Sequence, residues 1–318
     1  MRIRNCFIAP LAGILFFAFC CYLAGCSGGS EPEQEEKDPR RPSFAPIIGV
    51  DFFEVRRSFD NGLAYDSIGF VQVPEWHIKF TREDALQIYV PGSDSSFNFQ
   101  ITHDHDSFFH FARESWKVVD LHRDSMMLQK LSLNGLKVDK IRSNVYMRFY
   151  SKDYLDQLGT PLTELRKPYR RDTLFVRQMV ARANRNLDNV DSSYSSINYP
   201  KLQSKSPILE IKRREYDSLE VTSKSAANEY LYPEYDIVIH KAYKDFYHTF
   251  SVLVGPDGKL RLGKFFVMPE FEQSRKRVLT GIINVYLQNL LEIEPATTLG
   301  MPHNSVVYLR VRGKAGKG

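Results

Sequence analysis

The chain has 318 residues, 43% hydrophobic and 25% charged, which suits a folded protein with one or two cores and excludes a disordered or fibrous chain. Its formal net charge of +5 is too mild to argue for nucleic acid on charge alone. All four cysteines (Cys6, Cys20, Cys21 and Cys26) lie near the start, so the chain beyond them has no Cys nucleophile, disulfide, Cys-ligated zinc or iron–sulfur centre.

Arg2 and Arg4 precede an apolar run from Phe7 to Phe19, interrupted only by Pro10 and Gly13. That run is shorter than the roughly 20 residues a spanning helix needs. Leu23-Ala24-Gly25-Cys26 follows, then the polar Ser27-Gly28-Gly29-Ser30. This arrangement resembles the lipobox of bacterial lipoproteins. The resemblance implies a signal peptide over residues 1–25, cleavage before Cys26, lipidation of Cys26 with palmitate-type chains, and an outer-membrane lipoprotein of the cell envelope. Several acyl chains at about 0.8 kcal/mol per buried methylene hold such a protein firmly on a bilayer. Residues 31–40 are charged and lack apolar side chains, so residues 26–45 are expected to be a disordered acidic tether. The acidic run also resembles the patch behind the lipid cysteine of surface-exported lipoproteins in Bacteroidetes-like bacteria; a solubilising spacer is the other reading.

From Ile47 to Tyr150 the residues alternate with period two, as in Trp76–Phe80, Leu86–Val90, Phe97–Ile101 and Val145–Phe149. Asn61-Gly62, Pro91-Gly92, Asp104 to Ser107 and Asn134-Gly135 punctuate the pattern. Eight or nine short strands with one face in a core predict an antiparallel barrel or sandwich over residues 46–155. The early Trp76, the Trp116-Lys117-Val118 strand, the Asp124-Ser125-Met126-Met127-Leu128 hairpin and the aromatic-rich Val145–Tyr150 strand resemble the lipocalin-like domains of small envelope lipoproteins. That resemblance implies a barrel able to enclose a small apolar ligand, with Phe97, Phe99, Phe109, Phe111 and Trp116 lining the pocket. The same large residues are also enough to fill an eight-stranded interior by themselves.

Residues 156–225 read as a connecting region. Asp172 is placed to cap a short helix through Arg185 whose stripe is Phe175, Met179 and Ala183, with Val176 and Val180 beside it. Ile208–Ile211 reads as a strand. In residues 226–312 a strand over Phe246–Val254, a Pro256-Asp257-Gly258 turn and a returning strand over Leu260–Met268 precede a helix opened by Pro269. Leu279, Ile282, Ile283, Tyr286, Leu287 and Leu290 form one helical face. Pro295 and Gly300 end the element, Val306–Val311 is a last strand, and residues 313–318 are expected to be a disordered tail. Tyr232-Pro233, Asp257-Gly258, Pro295-Ala296 and Gly300-Met301-Pro302, in this hairpin–helix–strand order, resemble the C-terminal domain of TonB. Ile293 stands where that family usually has an aromatic residue, and a lipid anchor replaces its inner-membrane helix. The resemblance implies strand addition at an open edge, with Ser305, Val306, Val307, Tyr308, Leu309 as the edge and Asn304 and Arg310 as rim contacts.

The chemistry-bearing candidates are few. Gly258 to Lys264 fits a phosphate-loop spacing, but its bulky alternating interior reads as a strand. His103 and His105, with Asp104, Asp106, His110, Glu114 or His122 nearby, are the weak metal candidates. No serine-hydrolase elbow appears. Arg166-Lys167, Arg170-Arg171, Lys212-Arg213-Arg214 and Arg275-Lys276-Arg277 read as solvated faces or as sites for anionic head groups. The sequence therefore predicts an α+β, β-rich protein, non-enzymatic and without cofactor. Its partners would be a membrane through the lipid anchor and another envelope protein, and not nucleic acid. Its role would be interaction or scaffolding, with binding of a small apolar ligand as the alternative.

Overall fold

The computed structural model describes residues 41–131, 145–215 and 223–316. The signal segment, Cys26, the acidic run 31–40 and the Asn134-Gly135 turn lie outside the described residues.

The period-two alternation builds nine strands: β1 (Asp51–Phe59), β2 (His77–Arg82), β3 (Ala85–Tyr89), β4 (Ser96–Gln100), β5 (Thr102–His103), β6 (Phe108–Phe111), β7 (Glu114–Leu121), β8 (Ser125–Leu131) and β9 (Val145–Ser151). They form one antiparallel sheet in the order β4-β3-β2-β1-β9-β8-β7-β6-β5. The two end strands, β4 and β5, are parted in the chain only by Ile101, so the sheet curls into a nearly closed barrel. Phe52, Ile78, Phe80, Leu86, Met126, Leu128 and Phe149 are buried together inside. Phe44 joins them, its ring 4.5 Å from Phe80 and 5.0 Å from Phe109. The Glu83 carboxylate accepts the Phe44 and Ala45 N–H groups, each at 2.9 Å. The tether expected to run to residue 45 therefore ends earlier. A single aromatic side chain plugging the barrel orders the residues around it, which the average polarity of the run conceals.

The rest of the chain forms α1 (Lys152–Leu158), α2 (Leu162–Leu165), α3 (Arg170–Arg185), β10 (Lys201–Ser204), β11 (Leu209–Arg213), α4 (Ser223–Leu231), β12 (Glu234–Ala242), β13 (Phe246–Val254), β14 (Leu260–Phe265), α5 (Glu272–Ile282), a π-helical turn Ile283–Leu287, α6 (Gln288–Leu290), β15 (Leu291–Glu294), β16 (Ala296–Thr298), β17 (Met301–His303) and β18 (Ser305–Ala315). A second sheet has the order β11-β12-β18-β13-β14, with β18 parallel to β12 and antiparallel to β13. Leu279, Ile282, Ile283 and Leu287 pack on this sheet as their spacing requires. The α+β, β-rich class stands.

Several boundaries move. Within the expected connecting region the foreseen strand β11 pairs with β12 and the unforeseen β10 with β15, so the C-terminal module begins well before residue 226. Among its described residues the connecting region holds α2 besides the expected α3, with the end of α1 and the start of α4. The returning strand β14 stops at Phe265, and Pro295 and Gly300 sit among strands, since the helix has already ended at Leu290. Residues 313–315 of the expected tail are instead the end of β18. There Gly313 pairs with Phe246, and a Cβ on Gly313 would overlap the Phe246 ring. Among the described residues no helix is long and apolar enough to cross a membrane.

The described residues of barrel and C-terminal sheet belong to one compact unit. Their junction is built on a charge. In β1, Val55 is bulged out of the pairing with β9, and Arg56 beyond it reaches α3. Arg56 Nη1 and Nη2 donate to Asp172 Oδ2 and Oδ1 at 2.8 and 2.9 Å. Asp172 is fully buried and also accepts the Ala64 N–H at 2.9 Å and the Tyr169 N–H at 2.7 Å. Burial by itself would raise the Asp172 carboxyl, but Arg56 and the two N–H groups outweigh it and hold the group below the usual carboxylate range. Asp172 thus sits on the inner stripe of α3 with Val176, Val180 and Ala183, three residues past the cap.

Replacing one partner leaves the other charged and buried. Arg56→Met is expected to lower the unfolding free energy by about 3–5 kcal/mol, and Arg56→Met with Asp172→Leu by less, measured by urea denaturation. A double variant no more stable than the single one would contradict this account.

Candidate functional site

The junction leaves a cleft of about 380 Å³, within the range of small-molecule sites. Its walls come from the end of β1, the loop between β1 and β2, the link between α2 and α3, the Ser196–Asn198 segment and the tip of the β16–β17 hairpin. Val71, Val73, Pro74, Pro168, Ile197 and Leu299 supply an apolar lining. Gln72, Ser196, Asn198 and Thr298 add neutral polar groups.

The β1–β2 loop holds its shape through Asp66, whose Oδ1 accepts the N–H groups of Ile68, Gly69 and Phe70 at 2.8–2.9 Å. It is fastened to the other wall by the Ser195 N–H donating to the Ile68 carbonyl at 2.9 Å and by Arg182 donating to the Ser67 carbonyl at 2.7 Å. Gly69 has φ +105°, and a Cβ there would overlap the Ser195 carbonyl, so only glycine permits this approach.

Three arginines line the cleft, with no carboxylate beside them on its walls. Arg56 is matched by Asp172. Arg57 is matched by the buried Glu54 in a two-pronged contact, 2.7 Å at Nε and 2.6 Å at Nη2. Arg166 is different. Its Nε donates to the Glu54 carbonyl oxygen at 2.8 Å, which fixes the guanidinium, and no carboxylate among the described residues lies within 4 Å. Burial lowers its pKa, Arg57 adds to that, and Glu54 and Glu75 oppose it. A half-buried cation without a direct carboxylate partner is a place for an anion.

Behind the hairpin, His303 is fully buried. Its Nε2 lies 2.9 Å from Thr298 Oγ1 and its Nδ1 3.1 Å from Ser305 Oγ. Burial pushes its pKa down to about 4. Tyr194, whose ring centroid is 5.2 Å from that of His303, has a buried hydroxyl without a hydrogen-bond partner, and burial raises its pKa.

The expected sites fall elsewhere. Of the pocket residues, Phe109, Phe111 and Trp116 are buried in the barrel core, Trp116 stacked 5.1 Å from Phe111 and 5.2 Å from Trp76. Phe99 is partly buried against the same core, and Phe97 is 60% exposed. Alternation puts odd and even residues of a strand on opposite faces, but Phe97 and Phe99 share parity, so the departure comes from the end of a short edge strand. The candidate edge is also corrected. Ser305, Val306, Val307, Tyr308, Leu309 and Arg310 lie in β18, which pairs with β13 from Ser305 on and, from Tyr308 on, also with β12, unread in the sequence, so Tyr308, Leu309 and Arg310 are paired on both sides. Asn304 is fully buried, its N–H donating to Asn184 Oδ1 at 2.9 Å. His103 and His105 do not converge. His103 Nε2 lies 3.1 Å from the Asp106 carbonyl oxygen, and His105 stacks on Phe108 at 4.8 Å. Among the described residues no group of three or more His, Cys, Asp or Glu side chains could hold a metal.

Arg166 appeared in the sequence as half of a basic pair, read as a solvated face or a site for anionic head groups, and Thr298 and His303 carried no signal. The Leu299-Gly300 pair did: it makes a two-residue turn with φ of +51° and +76°, where leucine is out of place.

No family model matches the chain, and no curated protein matches it. Among solved structures, Japanin from Rhipicephalus appendiculatus bound to cholesterol is similar at 14% identity, over 39% of this chain and 88% of that one, with a TM-score of 0.20. A TM-score that low carries no conclusion about this chain.

The buried imidazole sets a pH window. Its ordinary value is 6.5 and its folded value about 4, so between them the unfolded chain takes the proton first. Stability from this group is intact above pH 6.5, falls as the pH drops and is lost near pH 4, a difference of about 3 kcal/mol at full extent. The slope of unfolding free energy against pH between 4 and 6.5 should flatten in His303→Gln relative to the unaltered chain; equal slopes would refute the assignment.

Proposed function

We propose that the protein is a lipid-anchored binding protein of the bacterial cell envelope, and that its ligand is a small amphiphile with one anionic group, held in the junction cleft rather than in the barrel. The observation that carries the reading is Arg166. It is the cleft arginine whose charge no carboxylate meets directly, and it shares the cavity with the apolar lining of Val71, Val73, Pro74, Pro168, Ile197 and Leu299. An apolar body would displace water from that lining, at about 25 cal/mol per Å² of apolar surface covered, while the head group takes the free guanidinium nitrogens.

The barrel serves this reading as scaffold. Its interior is occupied by its own aromatic residues, which argues against the pocket first expected there. Partner docking on the C-terminal sheet, with the TonB resemblance behind it, has lost β18 from Tyr308 on as a free edge.

Two measurements test the two halves of the proposal. Calorimetric titration with decanoate should show saturable binding, weakened by about tenfold or more in Arg166→Gln, the loss expected for a hydrogen bond to a charged group. An affinity unmoved by the substitution would defeat the reading. Mass spectrometry of the protein from its own cell membranes should find the chain starting at an acylated Cys26. An intact Met1 or a bare thiol at position 26 would remove the anchor.

A further inference from the structure

Hydrogen bonds behind the cleft wall determine which polarity the wall presents. Ser305 Oγ is 2.5 Å from the Tyr194 carbonyl oxygen. A carbonyl only accepts, so the Ser305 proton lies on that contact. Toward His303 the Ser305 oxygen can then only accept, which places the imidazole proton on Nδ1. The neutral ring presents a lone pair at Nε2, and the Thr298 hydroxyl donates its single proton there. Ser196, on the same wall, is in the same state. Its hydroxyl donates to the Thr297 carbonyl oxygen at 2.6 Å, and its oxygen accepts the Asn198 N–H at 3.1 Å. Of the hydroxyls that line the cleft, those of Thr298 and Ser196 have their protons committed to the protein and leave only oxygen lone pairs for a ligand, whereas those of Tyr65 and Thr297 can donate or accept. Gln72 and Asn198 carry amides that donate or accept equally well and so select nothing.

We propose that the ligand carries a hydrogen-bond donor, met by the lone pairs of Thr298, in addition to the anionic group met by Arg166. The class is then a hydroxylated amphiphilic acid rather than a plain fatty acid. This rests on the cleft-binding reading above and narrows it.

The test uses the full chain and three kinds of probe: decanoate, the monohydroxydecanoates with the hydroxyl at successive carbons, and the methyl ether of whichever binds best. At least one hydroxy acid should bind about tenfold more tightly than decanoate, the worth of one added hydrogen bond. Its methyl ether, which keeps the oxygen but cannot donate, should lose that gain. In Thr298→Val the ratio between hydroxy acid and decanoate should fall to within about twofold. Should that variant fail to fold, the probe series on the unaltered chain decides by itself. The inference is overturned if no hydroxyl position improves on decanoate, if the methyl ether keeps the gain, or if the ratio survives in Thr298→Val. If decanoate binds with Arg166 dependence but hydroxylation adds nothing, only this inference falls. If none of the acids binds, both readings fall.

Discussion

The arrangement depends on the buried contact between Arg56 and Asp172. Each carboxylate oxygen of Asp172 accepts one arginine nitrogen and one backbone N–H, so the charge enters the interior with its acceptor positions used. Those partners come from β1, from the loop beyond it and from the start of α3. One side chain therefore holds three chain segments, and α3 lies against the barrel as a result. From α3 the constraint passes to the C-terminal module, where Asn184 fixes Asn304 at the start of β18. Burying such a pair is costly, and it is tolerated here because Asp172 has its acceptor positions used and Arg56 donates to both carboxylate oxygens and to the Gly62 carbonyl.

The barrel strands and the amphipathic face of α5 were legible because each rests on a local period that burial rewards directly. Phe246–Val254 was readable to the residue. What could not be read was pairing. β12 alternates Tyr235, Ile237 and Ile239 as clearly as any strand, yet only tertiary structure decides that it lies parallel to β18, and with that the exposed edge became a centre. Asp172 was seen as a capping residue, which it is through the Tyr169 N–H. Its second role needs Arg56, more than a hundred residues away, and a bulge at Val55 that turns Arg56 toward it. Phe44 was lost in a polar run because composition averages over neighbours, whereas a plug needs one ring.

The site was less legible than the fold for the same reason. Its members come from five segments, and none is unusual where it stands in the chain. Arg166 becomes a recognition group only because Asp172 and Glu54 neutralise the other two arginines. Thr298 and Ser196 acquire a fixed polarity only because a histidine and a backbone carbonyl take their protons. Charge accounting and proton accounting are properties of the assembled wall, and a motif search has no access to them.

Leu299 carries a backbone cost at the tip of the β16–β17 hairpin. A left-handed backbone at a leucine is unfavourable by on the order of 1–2 kcal/mol, and asparagine or glycine would sit there at ease. The side chain sits at the rim, over a third of it facing water. A survey of substitutions scored by thermal resistance alone would rank this leucine as a flaw to be repaired, and the repair would strip the cleft rim of one of its apolar side chains.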